Sequence, residues 1–126
     1  MSLRVGDRVP NFQLPSKDGL KRIFYFEVKG GPIILLIARG PTAAINNCFA
    51  ELTSCMEFID GHGGQVFGIT DDCSKVKNSV SPAIIFEDAE GGLSDLLMAV
   101  PNGNPSNLKI LILDPNQRVV AQFVIN

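Results

Sequence analysis

The chain has 126 residues, of which 45% are apolar and 19% charged, with a net charge of −2. That fits one globular domain, 1–126, able to bury its own core, and excludes a disordered chain. Lys and Arg are scattered without a basic stripe, so nucleic acid is not an expected partner. No apolar run approaches the roughly 20 residues of a membrane span, and no charged-then-apolar leader opens the chain. The cysteines, at 48, 55 and 73, are odd in number and lack a secretory context. A reducing, cytoplasmic setting is the expectation.

Asn11 to Leu14 alternates apolar and polar, Lys17-Asp18-Gly19 marks a turn, and Arg22 to Phe26 is rich in strand formers. Together they predict an N-terminal strand pair. After Gly30-Gly31-Pro32, the run Ile33-Ile34-Leu35-Leu36-Ile37 reads as a strand covered on both faces. Asn47 to Asp60 reads as a helix, with Phe49, Leu52, Met56 and Ile59 on one face, Asn46 or Asn47 as cap and Gly61 as stop.

Gln65 to Thr70 is the next strand, and Asp71 to Ser79 a polar segment with room for a short helix capped by Asp71 or Asp72. Ala83 to Phe86 is a further strand. Leu93, Leu96, Leu97 and Val100 form a second helical stripe, and Pro101 to Pro105 a loop. Lys109 to Leu113, a turn at Asp114 to Gln117, and Arg118 to Ile125 make a closing hairpin. This order predicts an α/β domain with a mixed sheet.

Cys48 falls in the first turn of the predicted helix, where unpaired backbone N–H groups and the helix dipole favour an anion and lower a thiol pKa. The same residue also suits a buried core position, because Cys48, Leu52, Cys55 and Ile59 share one stripe. The single His62 lies in a Gly-rich loop without the spacing of a metal site. No C-x-x-C, P-loop or dinucleotide pattern is present.

The element order and several short motifs resemble the peroxiredoxin (alkyl hydroperoxide reductase, thiol-specific antioxidant, redoxin) branch of the thioredoxin-like fold, over nearly the whole chain. Gly6-Asp7-Arg8-Val9-Pro10-Asn11-Phe12-Gln13-Leu14 matches the opening G-D-x-x-P-x-F-x-L. Pro41, Cys48 and Glu51 match three positions of P-x-x-x-T-x-x-C-x-x-E. Ser81 to Gly91 resembles F-P-L-L-S-D-P-x-G, and Ile110 to Pro115 resembles F-V-I-D-P. Two positions depart from the pattern. The Thr that would hydrogen-bond the thiolate is Ile45, and the Arg that would hold the sulfur ionised is Leu108.

The resemblance implies a thioredoxin-like sheet flanked by helices. It implies a thiol-dependent peroxidase in which Cys48 attacks a hydroperoxide and becomes a sulfenic acid, which a second thiol resolves. Pro41 would shield the sulfur, and Thr42, Arg39 and Glu51 would assist it. Cys73 and Cys55 are resolving candidates, and an external thiol, thioredoxin or glutathione, would be the reductant. No metal or organic cofactor is implied. The alternative is a redoxin-like interaction or regulatory module without peroxidase chemistry. The family's final helix is not expected here, and Val119, Val120, Phe123, Val124 and Ile125 are more apolar than a solvated edge wants. The expectation is either an N-terminal part of a longer protein or a homodimer covering that face.

Overall fold

Strand β3, Ile33–Ala38, is the apolar run read as doubly covered, and it occupies the centre of a five-stranded sheet. The computed structural model describes residues 3–39, 42–76, 84–98 and 108–125. Its larger sheet has the order β5-β4-β3-β6-β7, built from β4 (Gln65–Thr70), β5 (Ile84–Glu87), β6 (Leu108–Leu113) and β7 (Val119–Ile125). Strands β3, β4 and β5 are parallel, β6 pairs antiparallel with β3, and β7 pairs antiparallel with β6. The sheet is mixed, as predicted.

Alternation along β3 supplies two cores, one on each face. Ile33, Leu35 and Ile37 join Phe67, Ile69, Phe86, Leu111 and Leu113 on one face. Phe24 and Leu97 close that side, Leu97 from helix α4, Gly92–Met98. Leu36 and Ala38 face the other way, with Ile85 and Leu108 under Ile45 and Phe49 of helix α2, Thr42–Ser54. No described helix is long and apolar enough to cross a membrane.

Three predicted boundaries are corrected. The N-terminal hairpin exists as β1 (Gln13–Pro15) with β2 (Lys21–Ile23), but Phe24–Glu27 turns into a short helix, α1, instead of extending the strand. The Asn11 side chain accepts from the Tyr25 N–H, and Phe24 N–H donates to the Phe12 carbonyl, which folds the chain back. The Phe24 ring then stacks on Phe12 at 4.9 Å and meets Phe67 edge-on at 5.3 Å. A continuing strand would forfeit those ring contacts.

The long helix begins at Thr42 rather than Asn47, and breaks at Cys55 before resuming as α3, Met56–Gly61. Asn46 is therefore no cap. It lies inside α2, and its side-chain amide donates to the carbonyls of Thr42 and Lys75. The polar stretch after β4 forms one 3-10 turn, Cys73–Lys75, capped by the Asp72 side chain on Ser74 N–H. The predicted remainder, up to Ser79, falls outside the described residues, as do Ala83, Val100 and the loop Pro101 to Pro105.

Two glycines set how closely these layers approach. A side chain on Gly31 would strike the Gly63 carbonyl oxygen, so two loops meet backbone to backbone beneath β3. A Cβ at Gly68 of β4 would stand 2.5 Å from the Phe49 ring. That ring is fully buried and has nowhere to swing. Gly68 thus seats α2 on the sheet. Gly68→Ala is expected to cost about 1–3 kcal/mol by overpacking, read as a lower midpoint in urea unfolding. Adding Phe49→Leu should recover part of the loss, and a wild-type midpoint for Gly68→Ala alone would refute this account of how α2 is seated.

Candidate functional site

Cys48 sits well past the first turn of α2, since that helix starts at Thr42. The dipole and the unpaired N–H groups that favour an anion belong to the first turn. This removes the placement from which the sequence argument for a reactive thiolate was drawn. The reason is Asn46, whose residue type reads as a cap but whose side chain is a donor to two carbonyls.

The thiol is half-buried and packs against the cluster of Leu36, Ala38, Ile45, Phe49 and Leu108. Burial raises its pKa, and the Glu51 carboxylate raises it further. Both causes act on the charged form, one by desolvation and one by like-charge repulsion. The two positions that depart from the resemblance pattern, Ile45 and Leu108, are both buried in this same cluster. Among the described residues, the cluster beside Cys48 is therefore apolar at the two positions where a thiolate would want a hydroxyl and a cation.

The remaining candidates are dispersed. Arg39 follows β3, and its guanidinium pairs with Asp95 of α4 at 2.6 Å. Helix α4 packs on the opposite face of the sheet, through Leu97 and Leu93, so this charge is committed away from Cys48. Thr42 is exposed at the start of α2. It lies nearly two turns before Cys48, about 9 Å along the axis, beyond hydrogen-bond reach. Glu51 is exposed, one turn beyond Cys48. Pro41 lies outside the described residues. Lys109, next to Leu108, is buried on the other face of β6, across from Ile37 and Val124, and burial lowers its pKa.

Cys73 is buried in the 3-10 turn, where Sγ lies 3.7 Å from the Ile85 carbonyl, and the Cys73 N–H donates to the Glu87 carboxylate. Its pKa is pushed up to about 11, chiefly by burial and then by Glu87. Asn46 ties this segment to one flank of α2 through the Lys75 carbonyl. Cys48, two residues on, points about 200° away around the helix, toward the opposite flank. Cys55 is exposed at the helix break. It is two turns from Cys48, about 10.5 Å along the axis, whereas a disulfide needs Cα atoms within about 7 Å. All three cysteines are free, and Cys73 belongs to the same apolar cluster against which Cys48 packs.

Sequence reading missed two features. The first is Asn46 as the anchor between α2 and the Cys73 turn. The second is the row Ala44, Cys48 and Leu52, half-buried at i, i+4 and i+8 beside Ile110 of β6. That spacing was present in the sequence. A helix read from Asn47 leaves Ala44 outside it, so the row loses its first member.

No family model matches the sequence, and no curated protein matches it. Solved structures do. A yeast mitochondrial 1-Cys peroxiredoxin has a TM-score of 0.72 at 17% identity, covering 98% of this chain and 68% of its own. The peroxidoxin BcpB of Mycobacterium tuberculosis gives 0.73 at 18%, covering 97% and 86%. A DsbE-type thiol:disulfide interchange protein of Chlorobium tepidum gives 0.70 at 20%, covering 98% and 86%. The chain carries the thioredoxin-like fold of the peroxiredoxins and related redoxins.

Proposed function

We propose that the chain is a redoxin-like interaction or regulatory module, in which the peroxidase site has been refilled with apolar side chains. The observation that carries the reading is the state of Cys48. It is half-buried against Ile45, Phe49 and Leu108, and its pKa is raised by burial and by Glu51. A thiol is nucleophilic as its thiolate, so an environment that holds the proton on sulfur suppresses attack on a peroxide.

A second reading keeps thiol peroxidase chemistry. It is favoured by the fold and by a half-exposed Cys48 on the helix that follows the central strand. In that reading a hydroperoxide oxidises Cys48 to a sulfenic acid, releasing the alcohol or water, and an external thiol such as thioredoxin or glutathione restores it. The resolving thiol would come from the partner, since all three cysteines of this chain are free.

The rate of thiol loss to hydrogen peroxide separates the two. Wild type is expected to lose thiol at the rate of an ordinary cysteine, within about threefold of Cys48→Ser per remaining thiol. Acceleration by orders of magnitude that vanishes in Cys48→Ser would overturn the module reading and install the peroxidase.

The electrostatics of the site give an independent check. Glu51 repels the Cys48 thiolate, so Glu51→Gln lowers the Cys48 pKa toward the ordinary thiol value. At fixed pH below the midpoint the thiolate fraction rises, and with it the alkylation rate. Iodoacetamide labelling of Cys48, followed by mass spectrometry from pH 6 to 10, should shift to lower pH in Glu51→Gln, at most modestly because Glu51 is solvated. Salt at about 0.5 M should shrink the difference. An unchanged or upward-shifted midpoint would contradict this account of the thiol.

A further inference from the structure

The β1–β2 hairpin meets the edge of β5, and its two ends are held by different kinds of contact. At the root, Phe12 stacks on Phe24, Leu14 packs against the same apolar cluster, and Arg22 pairs with Glu27 of α1. The tip, Ser16 to Leu20, is tied into a unit by polar bonds. Asp18 accepts from the Ser16 hydroxyl, the Leu20 N–H and the Arg22 guanidinium, and Arg22 also donates to the Ser16 hydroxyl. All of these bonds run inside the hairpin, so none of them fastens the tip to the sheet.

Among the described residues, the polar links from the tip to the rest of the domain converge on Ser16 and Lys17. Ser16 makes a single bridge to Phe86, and the Lys17 N–H donates to the Ile85 carbonyl at 2.9 Å. The Lys17 side chain then crosses to the Cys73 turn, where Nζ donates to the Cys73 carbonyl at 3.2 Å and to the Val76 carbonyl at 2.6 Å. Leu20, the apolar residue of the tip, is 61% exposed and anchors nothing.

Cys73 lies against this contact. The Ile85 carbonyl that accepts the Lys17 N–H is also the oxygen 3.7 Å from the Cys73 Sγ, so the Lys17 backbone and the thiol meet at one atom. On the α2 side the same turn is held by Asn46, on a helix seated by the fully buried Ile45 and Phe49. One side of the thiol is thus covered by core packing. The other is covered by a tip that depends on one ammonium and a minimal piece of ladder. Segments with few buried apolar contacts open locally at lower free energy than the core does.

We propose that the hairpin tip is a strap over Cys73, fastened by the Lys17 ammonium, and that its local opening is what admits small electrophiles and disulfides to that thiol. The strap swings from its root, where Phe12 and Leu14 stay packed, and leaves β3, β4 and α2 in place. The device goes beyond the module reading and does not rest on it, because it involves neither Cys48 nor peroxide.

The test is iodoacetamide labelling of the folded full chain, with each cysteine followed separately by mass spectrometry. In wild type, Cys73 is expected to label at least about tenfold more slowly than the exposed Cys55. Its rate should stay nearly flat in urea up to about 1 M, because a local opening exposes little surface. Lys17→Met keeps the aliphatic stem and removes the ammonium. It should speed Cys73 labelling about tenfold or more, with Cys48 within about twofold of its wild-type rate. Lys21→Met, at an exposed position on the same hairpin, should leave every rate at the wild-type value.

Equal Cys73 rates in wild type and Lys17→Met overturn the strap. So does an acceleration of the same size in Lys21→Met. A wild-type Cys73 rate that climbs steeply with urea overturns it without any variant, by placing access to the thiol in the opening of the whole domain. If Lys17→Met lowers the urea midpoint and frees Cys48 and Cys73 together, Lys17 is a stability residue and the strap is likewise lost.

Discussion

Strand β3 is covered on both faces, and the placement of every other element follows from that constraint. A strand of alternating side chains with no face left for water needs apolar partners above and below the sheet. The upper and lower partners here differ in kind. One side is closed by aromatic rings, with Phe24 wedged between Phe12 and Phe67 and edge-on to Phe86. The other side is closed by a single helix whose Phe49 sits where Gly68 has no side chain. Displacing α2 by the width of one methyl group would lift Ile45 and Phe49 together, and with them the position of Cys48.

The chemistry of Cys48 is therefore inherited from packing. A thiol ionises readily when a cation, a hydrogen-bond donor or a helix N-terminus stands beside it. In this chain the nearest helix terminus is nearly two turns away, and Arg39 is turned to Asp95 on the other face. The cluster against which Cys48 packs includes Ile45, Phe49, Leu108 and Cys73. What remains is desolvation and a carboxylate, both of which keep the proton on sulfur. Cys73 is held protonated by the same two causes, burial and an acidic neighbour, and more strongly.

Much of the fold was legible because apolar runs of fixed length carry their own period. Strands β3, β4 and β6 fell close to their predicted bounds, and the closing hairpin followed from Asp114 to Gln117. The errors arose where one residue type serves two roles. Asn46 and Asn47 look like helix caps, and only the Lys75 carbonyl, 29 positions away, shows that Asn46 is an internal donor. Phe24 to Phe26 look like strand, and only stacking against Phe12 turns them into a helix. Arg39 looked available to Cys48 because its true partner, Asp95, is separated by 56 positions. Long-range pairing of this kind leaves no local signal. The fold class survived these errors because it depends on element order, whereas a site depends on side-chain direction.

The apolar character of the cluster beside Cys48 and the integrity of this core come from the same residues. Ile45 is fully buried and Leu108 nearly so, in a cluster that also holds Leu36, Ala38 and Ile85. A guanidinium at position 108 would need a carboxylate or carbonyls to offset its desolvation, and the Cys73 and α2 elements nearby already spend theirs on Asn46 and Lys17. A hydroxyl at position 45 would likewise enter an apolar contact already filled. Restoring a thiolate environment would thus require rebuilding this side of the core, not exchanging two side chains.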